Sequence, residues 1–293
     1  MTKKILLVYN PVSGKNANRS STISNFIMEA AKEYLVCVYQ LKENESLDHV
    51  LAGAEREYDF LVCCGGDGTL HHLTNSLLHS DIQLPLAYIP LGSTNDNARS
   101  LGISRSNAIS AALKGNTCYI DVGKFNDRYF NYVAAFGMFT NVSYNTPQNL
   151  KNALGYLAYL LEGIRQMGNL SGIDIAISTD DAIYRERFLV GIISNSLSVA
   201  GVKQKNTNRD SLTDGMMDYI FIKEPKNILD IQKIISELLS GKCDNKHLYT
   251  GRSRCFHFSS QAMNWTLDGE YGGSPEEVCI ETVSNRLEMK VGY

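Results

Sequence analysis

Along the N-terminal part of the chain, short apolar runs alternate with stretches whose apolar residues recur at helical spacing. Lys4 to Tyr9 is the first predicted strand, and a helix is predicted from about Ser21 to Tyr34. Leu35 to Leu41 is the second strand, Leu47 to Glu57 a helix, and Phe60 to Cys64 a third strand that stops at two glycines. Leu70, Leu73, Leu77 and Leu78 then mark one helix face, Leu84 to Leu91 is a fourth strand, and another helix runs through Ile109 to Leu113. Strand alternating with helix predicts a parallel sheet whose ligand loops gather at the carboxyl ends of its strands.

From about Asp121 the pattern becomes strand-rich. Val122 to Phe125, Tyr129 to Phe136, Ile173 to Ser178, Arg187 to Ile193, Met217 to Ile222, Tyr249 to Phe258 and Glu277 to Val283 read as strands. Two helices interrupt them, Ala153 to Met167 and Lys226 to Leu239, the second stopped at Ser240-Gly241. The first carries Leu154, Leu157, Leu160, Leu161 and Ile164, and suits either a packed core helix or the gate of a lipid cleft. The predicted division is an α/β domain over 1–121 and a mainly β domain over 122–293, with the last residues free to pack back on the first.

Composition narrows the classes. With 293 residues, 44% hydrophobic and 20% charged, the chain can bury a large core. A net charge of −3 gives no global reason to bind nucleic acid or an anionic membrane. The 7 cysteines show no C-x-x-C pair and sit mostly in apolar runs, as reduced thiols of a cytosolic protein do. Met1-Thr2-Lys3-Lys4 precedes an apolar run, Ile5 to Val8, too short for an export signal, and no stretch approaches the ~20 apolar residues of a membrane span. The expected location is cytoplasmic, with peripheral association at the inner membrane face.

Candidate chemistry centres on Gly65-Gly66-Asp67-Gly68-Thr69-Leu70. Glycines remove the Cβ atoms that would keep a polyphosphate from the backbone, and the first amides of the following helix carry the positive end of its dipole. A carboxylate beside phosphate is repulsive unless a cation intervenes, so Asp67 points to Mg²⁺ with a nucleotide; a simple helix cap is the alternative. Asn10-Pro11-Val12-Ser13-Gly14-Lys15 and Gly92-Ser93-Thr94-Asn95-Asp96-Asn97 follow two other strands and read as ligand loops or as capped turns. Asp214-Gly215 is either a hairpin turn or an oxygen-rich metal turn. Asp268-Gly269-Glu270 can present two carboxylates on a sharp bend.

Asn10-Pro11-Val12-Ser13-Gly14-Lys15, Gly65 to Leu70, Pro90-Leu91-Gly92-Ser93-Thr94-Asn95-Asp96, Leu212 to Asp218 and Leu267 to Glu270 together resemble the diacylglycerol kinase catalytic superfamily, in its bacterial soluble lipid-kinase branch. The resemblance implies a Rossmann-like sheet of the NAD kinase and phosphofructokinase type, followed by a mainly β sandwich. It implies ATP- and Mg²⁺-dependent phosphorylation of a lipid hydroxyl, with diacylglycerol giving phosphatidic acid. Carried over residue by residue, Asn10, Pro11, Ser13, Gly14, Lys15, Gln40, Gly65, Gly66, Asp67, Gly68, Thr69, Leu70, His71, Ser93, Asn95 and Glu270 bind nucleotide. Asp67, Asp96 and Asp268 form the catalytic set, with Asp268 as base, and Ser211, Asp214 and Met216 are metal ligands. The sequence departs from the family pattern at Gln40, His71, His72, Ser93 and Asn97; adjacent histidines on a helix diverge by about 100° and are expected to be exposed or capping.

The implied transfer occurs between the domains, with Asp67 and Asp96 holding Mg²⁺ through water and Asp214 ordering a turn. Asp268→Ala and Asp67→Ala are each expected to lower turnover by orders of magnitude and leave thermal unfolding nearly unchanged. The expected partner is a lipid presented at a membrane surface, with Lys203, Lys205 and Arg209 as a small basic group that a solvated loop also explains. Oligomeric state is not legible, and a homodimer is compatible. An NAD kinase-like small-molecule kinase and a non-catalytic lipid- or nucleotide-binding module are the alternative readings.

Overall fold

A computed structural model describes residues 3–13, 16–42, 45–92, 95–137, 171–195, 212–240 and 246–292. The predicted helix Ala153 to Met167, the basic group Lys203, Lys205 and Arg209, and the site candidates Gly14, Lys15, Ser93 and Ser211 lie outside the described residues. The rest forms two compact units. Unit 1 holds the described residues up to Val122 together with Tyr129–Asn131 and those from Ser284 onward. Unit 2 holds Gly123–Arg128 and the described residues from Tyr132 to Val283.

Unit 1 is built on parallel strands β1 (Lys3–Tyr9), β2 (Tyr34–Gln40), β3 (Phe60–Gly65) and β4 (Leu86–Pro90), in the order β2-β1-β3-β4. Ile5, Leu7, Val8, Leu61, Val62, Cys63, Leu86 and Ala87 are all buried, the near-continuous apolar pattern of a sheet covered on both faces. Helix α1 (Asn16–Ala30) lies against β2, α4 (Asp67–His79) against β3, and α6 (Ala108–Lys114) against β4. The predicted helix Leu47 to Glu57 is instead two single turns, α2 (Asp48–Leu51) and α3 (Ala54–Glu57), because Gly53 takes the left-handed conformation at φ 76°. The first helix ends at Ala30, earlier than predicted; Tyr34, Leu35 and Val36 are drawn into β2 by pairing with Lys3, Lys4 and Ile5. A short helix, α5 (Asp96–Ser100), follows the loop after β4.

The chain end also belongs to unit 1. Strand β15 (Glu277–Lys290) pairs Met289 in parallel with Leu86, and Val291 N–H bonds the Asn116 carbonyl at 2.9 Å. Lys290 sits 4.7 Å from the Phe60 ring centroid and Arg286 reaches Asp81, so cations as well as strand pairing fasten this segment.

Unit 2 is antiparallel. Its strands β7 (Val133–Gly137), β8 (Ile173–Ser178), β9 (Ile183–Ser194), β10 (Met217–Lys223), β11 (Leu248–Ser253), β12 (Cys255–Ser260), β13 (Trp265–Leu267), β14 (Glu270–Gly273) and the start of β15 pair with reversed neighbours throughout. Two predicted strands are divided. Tyr129 to Phe136 is interrupted at Asn131 and Tyr132, between β6 (Arg128–Phe130) and β7, and the longer β5 (Thr117–Phe125) precedes them. Tyr249 to Phe258 breaks at Arg254, whose N–H turns to the Asp180 carboxylate at 2.6 Å. Helix α7 (Ile228–Ser240) starts two residues later than predicted because the Asn227 side chain accepts the Leu229 and Asp230 N–H groups at 2.9 and 3.0 Å.

The unit 2 core is aromatic. Trp265 lies 5.0 Å from Phe125, 4.9 Å from Phe136 and 5.0 Å from Phe258 between ring centroids, and all four residues are buried. Phe136 stands directly opposite Gly191 across the β7–β9 pair, and a Cβ at Gly191 would fall 2.0 Å from its ring. The glycine therefore makes the space in which the ring lies. Gly191→Ala should destabilise the protein by about 1–3 kcal/mol through overpacking, measured by urea unfolding, with Phe136→Leu in the same chain relieving part of the loss.

Candidate active site

Three loops follow β1, β3 and β4, neighbouring parallel strands whose carboxyl ends share one sheet edge, and hydrogen bonds tie them to one another. Asn10 N–H bonds the Cys64 carbonyl at 3.1 Å, and Asn10 Nδ2 donates to Thr69 Oγ1 at 3.1 Å. Asn10 Oδ1 accepts the Val12 N–H at 3.0 Å, and Ser13 Oγ lies 3.4 Å from the same Thr69 hydroxyl. Leu91 N–H bonds the Gly65 carbonyl at 2.7 Å, and Asp96 N–H reaches Asp67 Oδ2 at 3.3 Å.

Glycine is required for this closeness. A Cβ on Gly65 would lie 2.5 Å from the Thr69 side chain; one on Gly92 would lie 2.7 Å from Asn95 Oδ1 and 3.0 Å from the Gly66 Cα. Asn95 holds its loop from a left-handed conformation, φ 51°, while its Nδ2 donates to the Gly92 carbonyl at 2.8 Å. Gly66 is the N-cap of α4, and Leu70 N–H closes the first helical bond on its carbonyl at 3.1 Å. Asp67, Gly68 and Thr69 therefore form the open first turn, at the positive end of the helix.

The structure thus brings Asn10, Ser13, Gly65, Gly66, Asp67, Gly68, Thr69, Asn95 and Asp96 into one cluster, with Pro11 in the turn between Asn10 and Ser13. Gln40 ends β2, beside Tyr9 in register, and accepts the Tyr9 hydroxyl at 2.5 Å. Leu70 and His71 differ: both side chains are buried, so an exposed or capping His71 is corrected to a packed one. His71 Nε2 lies 3.4 Å from Asn75 Nδ2, whereas His72 is exposed and contacts the Glu45 carbonyl at 3.1 Å. Asn97 is likewise buried, polar though it is.

Two neighbours were not foreseen. Tyr88, buried in β4, is held far above the ordinary phenol range by burial first and then by the charge of Asp67, so its hydroxyl stays protonated. Asn75 grips the Tyr129 backbone in both directions, donating to its carbonyl and accepting its N–H, each at 2.9 Å. A tyrosine inside an otherwise apolar strand was the available signal for the first; nothing local marks the second. Cys64, at the end of β3, is pushed up to about 12 by burial and stays a thiol.

In unit 2, Asp268 and Gly269, with φ 51° and 90°, form the two-residue turn of the β13–β14 hairpin, and Glu270 is exposed at the start of β14. Asp268 Oδ1 accepts the N–H groups of Tyr132 and Val133 at 2.8 and 3.1 Å. The Tyr132 carbonyl in turn accepts Ser194 Oγ at 2.8 Å and Asn195 N–H at 3.0 Å. Asn195 Nδ2 reaches the Leu212 carbonyl at 3.4 Å, at the edge of the Asp214 turn. Asp214 accepts the Met216 N–H at 3.1 Å and is ion-paired to Arg252. Among the described residues, no three His, Cys, Asp or Glu side chains converge as a metal cage. Mg²⁺ bound with a nucleotide needs one or two carboxylates, phosphate oxygens and water; Asp67 and Asp96 fit as ligands through water, the Asp96 Oδ1 also meeting the exposed Arg99 at 3.2 Å. No helix among the described residues is long and apolar enough to cross a membrane.

A nucleotide-type glycine cradle on a parallel sheet, joined in one chain to an acid-bearing antiparallel unit, defines a class of phosphotransferase, and the comparisons give the family. The sequence profile of the diacylglycerol kinase catalytic domain matches residues 4–125. A diacylglycerol kinase of Bacillus subtilis is 32% identical over 290 residues, covering 92% of this chain and 91% of that protein. One from Staphylococcus epidermidis is 31% identical over 279 residues, covering 93% and 87%. A crystal structure of a diacylglycerol kinase from Bacillus anthracis superposes with a TM-score of 0.73 at 20% identity, covering 99% of this chain and 97% of that one, and so shares its fold. The chain belongs to the diacylglycerol kinase family and is a lipid kinase.

The hydrogen bonds of Asp268 correct the expectation that its removal leaves unfolding unchanged. Asp268→Ala should lower stability by about 1–3 kcal/mol, since two N–H groups lose their acceptor and alanine tolerates a positive φ poorly. Asp268→Asn keeps the acceptor and should unfold within about 1 kcal/mol of the parent in urea titration.

Proposed function

We propose that this chain transfers the γ-phosphate of ATP to the free hydroxyl of a membrane lipid, diacylglycerol, giving phosphatidic acid and ADP. The observation that carries the reading is the close approach of the Gly66 and Gly92 backbones at the first turn of α4, where the Asp96 amide meets the Asp67 carboxylate. The open turn Asp67 to Thr69 cradles the phosphates, with Asn10, Pro11, Ser13, Gln40 and Asn95 around the nucleotide. Gly14, Lys15 and Ser93 complete this set by resemblance. Asp67 and Asp96 would hold Mg²⁺ through water, and the ion would supply neutralisation of the charge developing on the transferring oxygens. Asp268 takes the proton of the lipid hydroxyl as its oxygen bonds to the γ-phosphorus and the bridge to ADP breaks; Glu270 serves the nucleotide side. Phosphoryl transfer has a loose transition state in which this proton leaves late, so a carboxylate of ordinary basicity suffices when well placed. The protein works peripherally at the inner membrane face, where its lipid is presented.

The test is transfer of labelled γ-phosphate, with Mg²⁺, to mixed micelles of diacylglycerol, a sphingoid base, ceramide or phosphatidylglycerol, and to NAD in solution, resolved by thin-layer chromatography. Label should enter phosphatidic acid and stop on chelation of Mg²⁺. Label in the NAD product would replace the proposal with a small-molecule kinase, and ligand binding without turnover would make the chain a non-catalytic module. Asp67→Asn and Asp268→Asn should each lower kcat by about 100-fold or more. Turnover near the parent rate in either variant would remove that residue from the catalytic set.

A further inference from the structure

We propose that Arg252 is the built-in cation of the Asp214 turn, standing at the carboxylate that the resemblance assigns to a metal, so that this part of unit 2 is ordered without a divalent ion. Both oxygens of Asp214 are engaged: Oδ1 accepts the Met216 N–H at 3.1 Å, and Oδ2 accepts from the Arg252 guanidinium. Arg252 lies on β11 directly across from Asp218 on β10, and its Nε is 3.2 Å from Asp218 Oδ1. Opposed residues of an antiparallel pair project on the same face, so the register delivers the guanidinium to both acids. One planar fork therefore spans two carboxylates.

The electrostatics explain why something positive must stand there. The Asp218 side chain is only 9% exposed, and Asp214 and Arg252 are 28% and 30% exposed, so the group is largely withdrawn from water. Two carboxylates in such a place repel each other and cost desolvation energy unless a cation joins them. A hard divalent ion is one solution; a guanidinium with its fixed set of donors is the other. Mg²⁺ on Asp214 would have to break that ion pair and leave a guanidinium beside a doubly charged ion. Asp214 does not fit a divalent ion while Arg252 is in place.

Thermal unfolding of the full chain, without nucleotide or lipid, tests this apart from phosphotransfer. The parent, Asp214→Asn, Arg252→Gln and Arg252→Lys are melted in EDTA and in excess MgCl₂. The parent and Asp214→Asn should respond to MgCl₂ alike, since no response of the parent depends on Asp214. Arg252→Gln should melt about 5 °C lower in EDTA and regain half or more of that in MgCl₂, because the released acids now accept the ion. Arg252→Lys keeps a positive charge and should fold and remain as insensitive as the parent. A parental gain in MgCl₂ that disappears in Asp214→Asn, an Arg252→Gln chain that MgCl₂ does not help, or a Mg²⁺-dependent Arg252→Lys chain would each overturn the proposal.

Discussion

The structure of unit 1 depends on a shortage of space. Three parallel strands end side by side, and the backbones leaving them pass so closely that Gly65 and Gly92 have no room for a methyl group. That closeness lets one threonine, Thr69, receive a bond from Asn10 and contact Ser13, and lets the Asp96 amide reach Asp67. The Asp67 carboxylate is thereby set at the positive end of α4, where an anion is favoured. Tight backbone packing and the chemistry of the cluster are the same fact at two scales.

In unit 2 the corresponding node is a peptide unit. The Tyr132 N–H is held by Asp268 and its carbonyl by Ser194 and Asn195, so the candidate base is anchored by the interruption between β6 and β7. Asp268 consequently has a structural task besides the chemical one proposed for it. Isosteric replacement separates the two, which truncation to alanine does not.

How much of this was legible follows from the range of each signal. The parallel strands, their order of appearance and the glycine turns are written in contiguous residues, and the sequence alone placed Gly65 to Thr69 and Asp96 at the strand-to-helix turns after β3 and β4. The break at Gly53 was also local, but one glycine in a helical pattern does not announce its φ. His71 was misread because apolar spacing at Leu70, Leu73, Leu77 and Leu78 does not show how wide the buried stripe of α4 is. Arg252 was out of reach: its meeting with Asp214 and Asp218 depends on the β10–β11 register, which joins positions far apart in the chain. The same holds for Asn75 and Tyr129.

The return of the last strand to unit 1 bears on how the protein is made. Met289 pairs with Leu86, so β4 lacks its outer neighbour until residues beyond Ser284 have left the ribosome. At about 5–20 residues per second, synthesis of the chain between Leu86 and Met289 leaves that edge uncovered for roughly ten to forty seconds. Throughout this interval the nascent unit 1 offers an unpaired strand edge of the kind that invites aggregation, a vulnerability that a chaperone or rapid elongation would shorten.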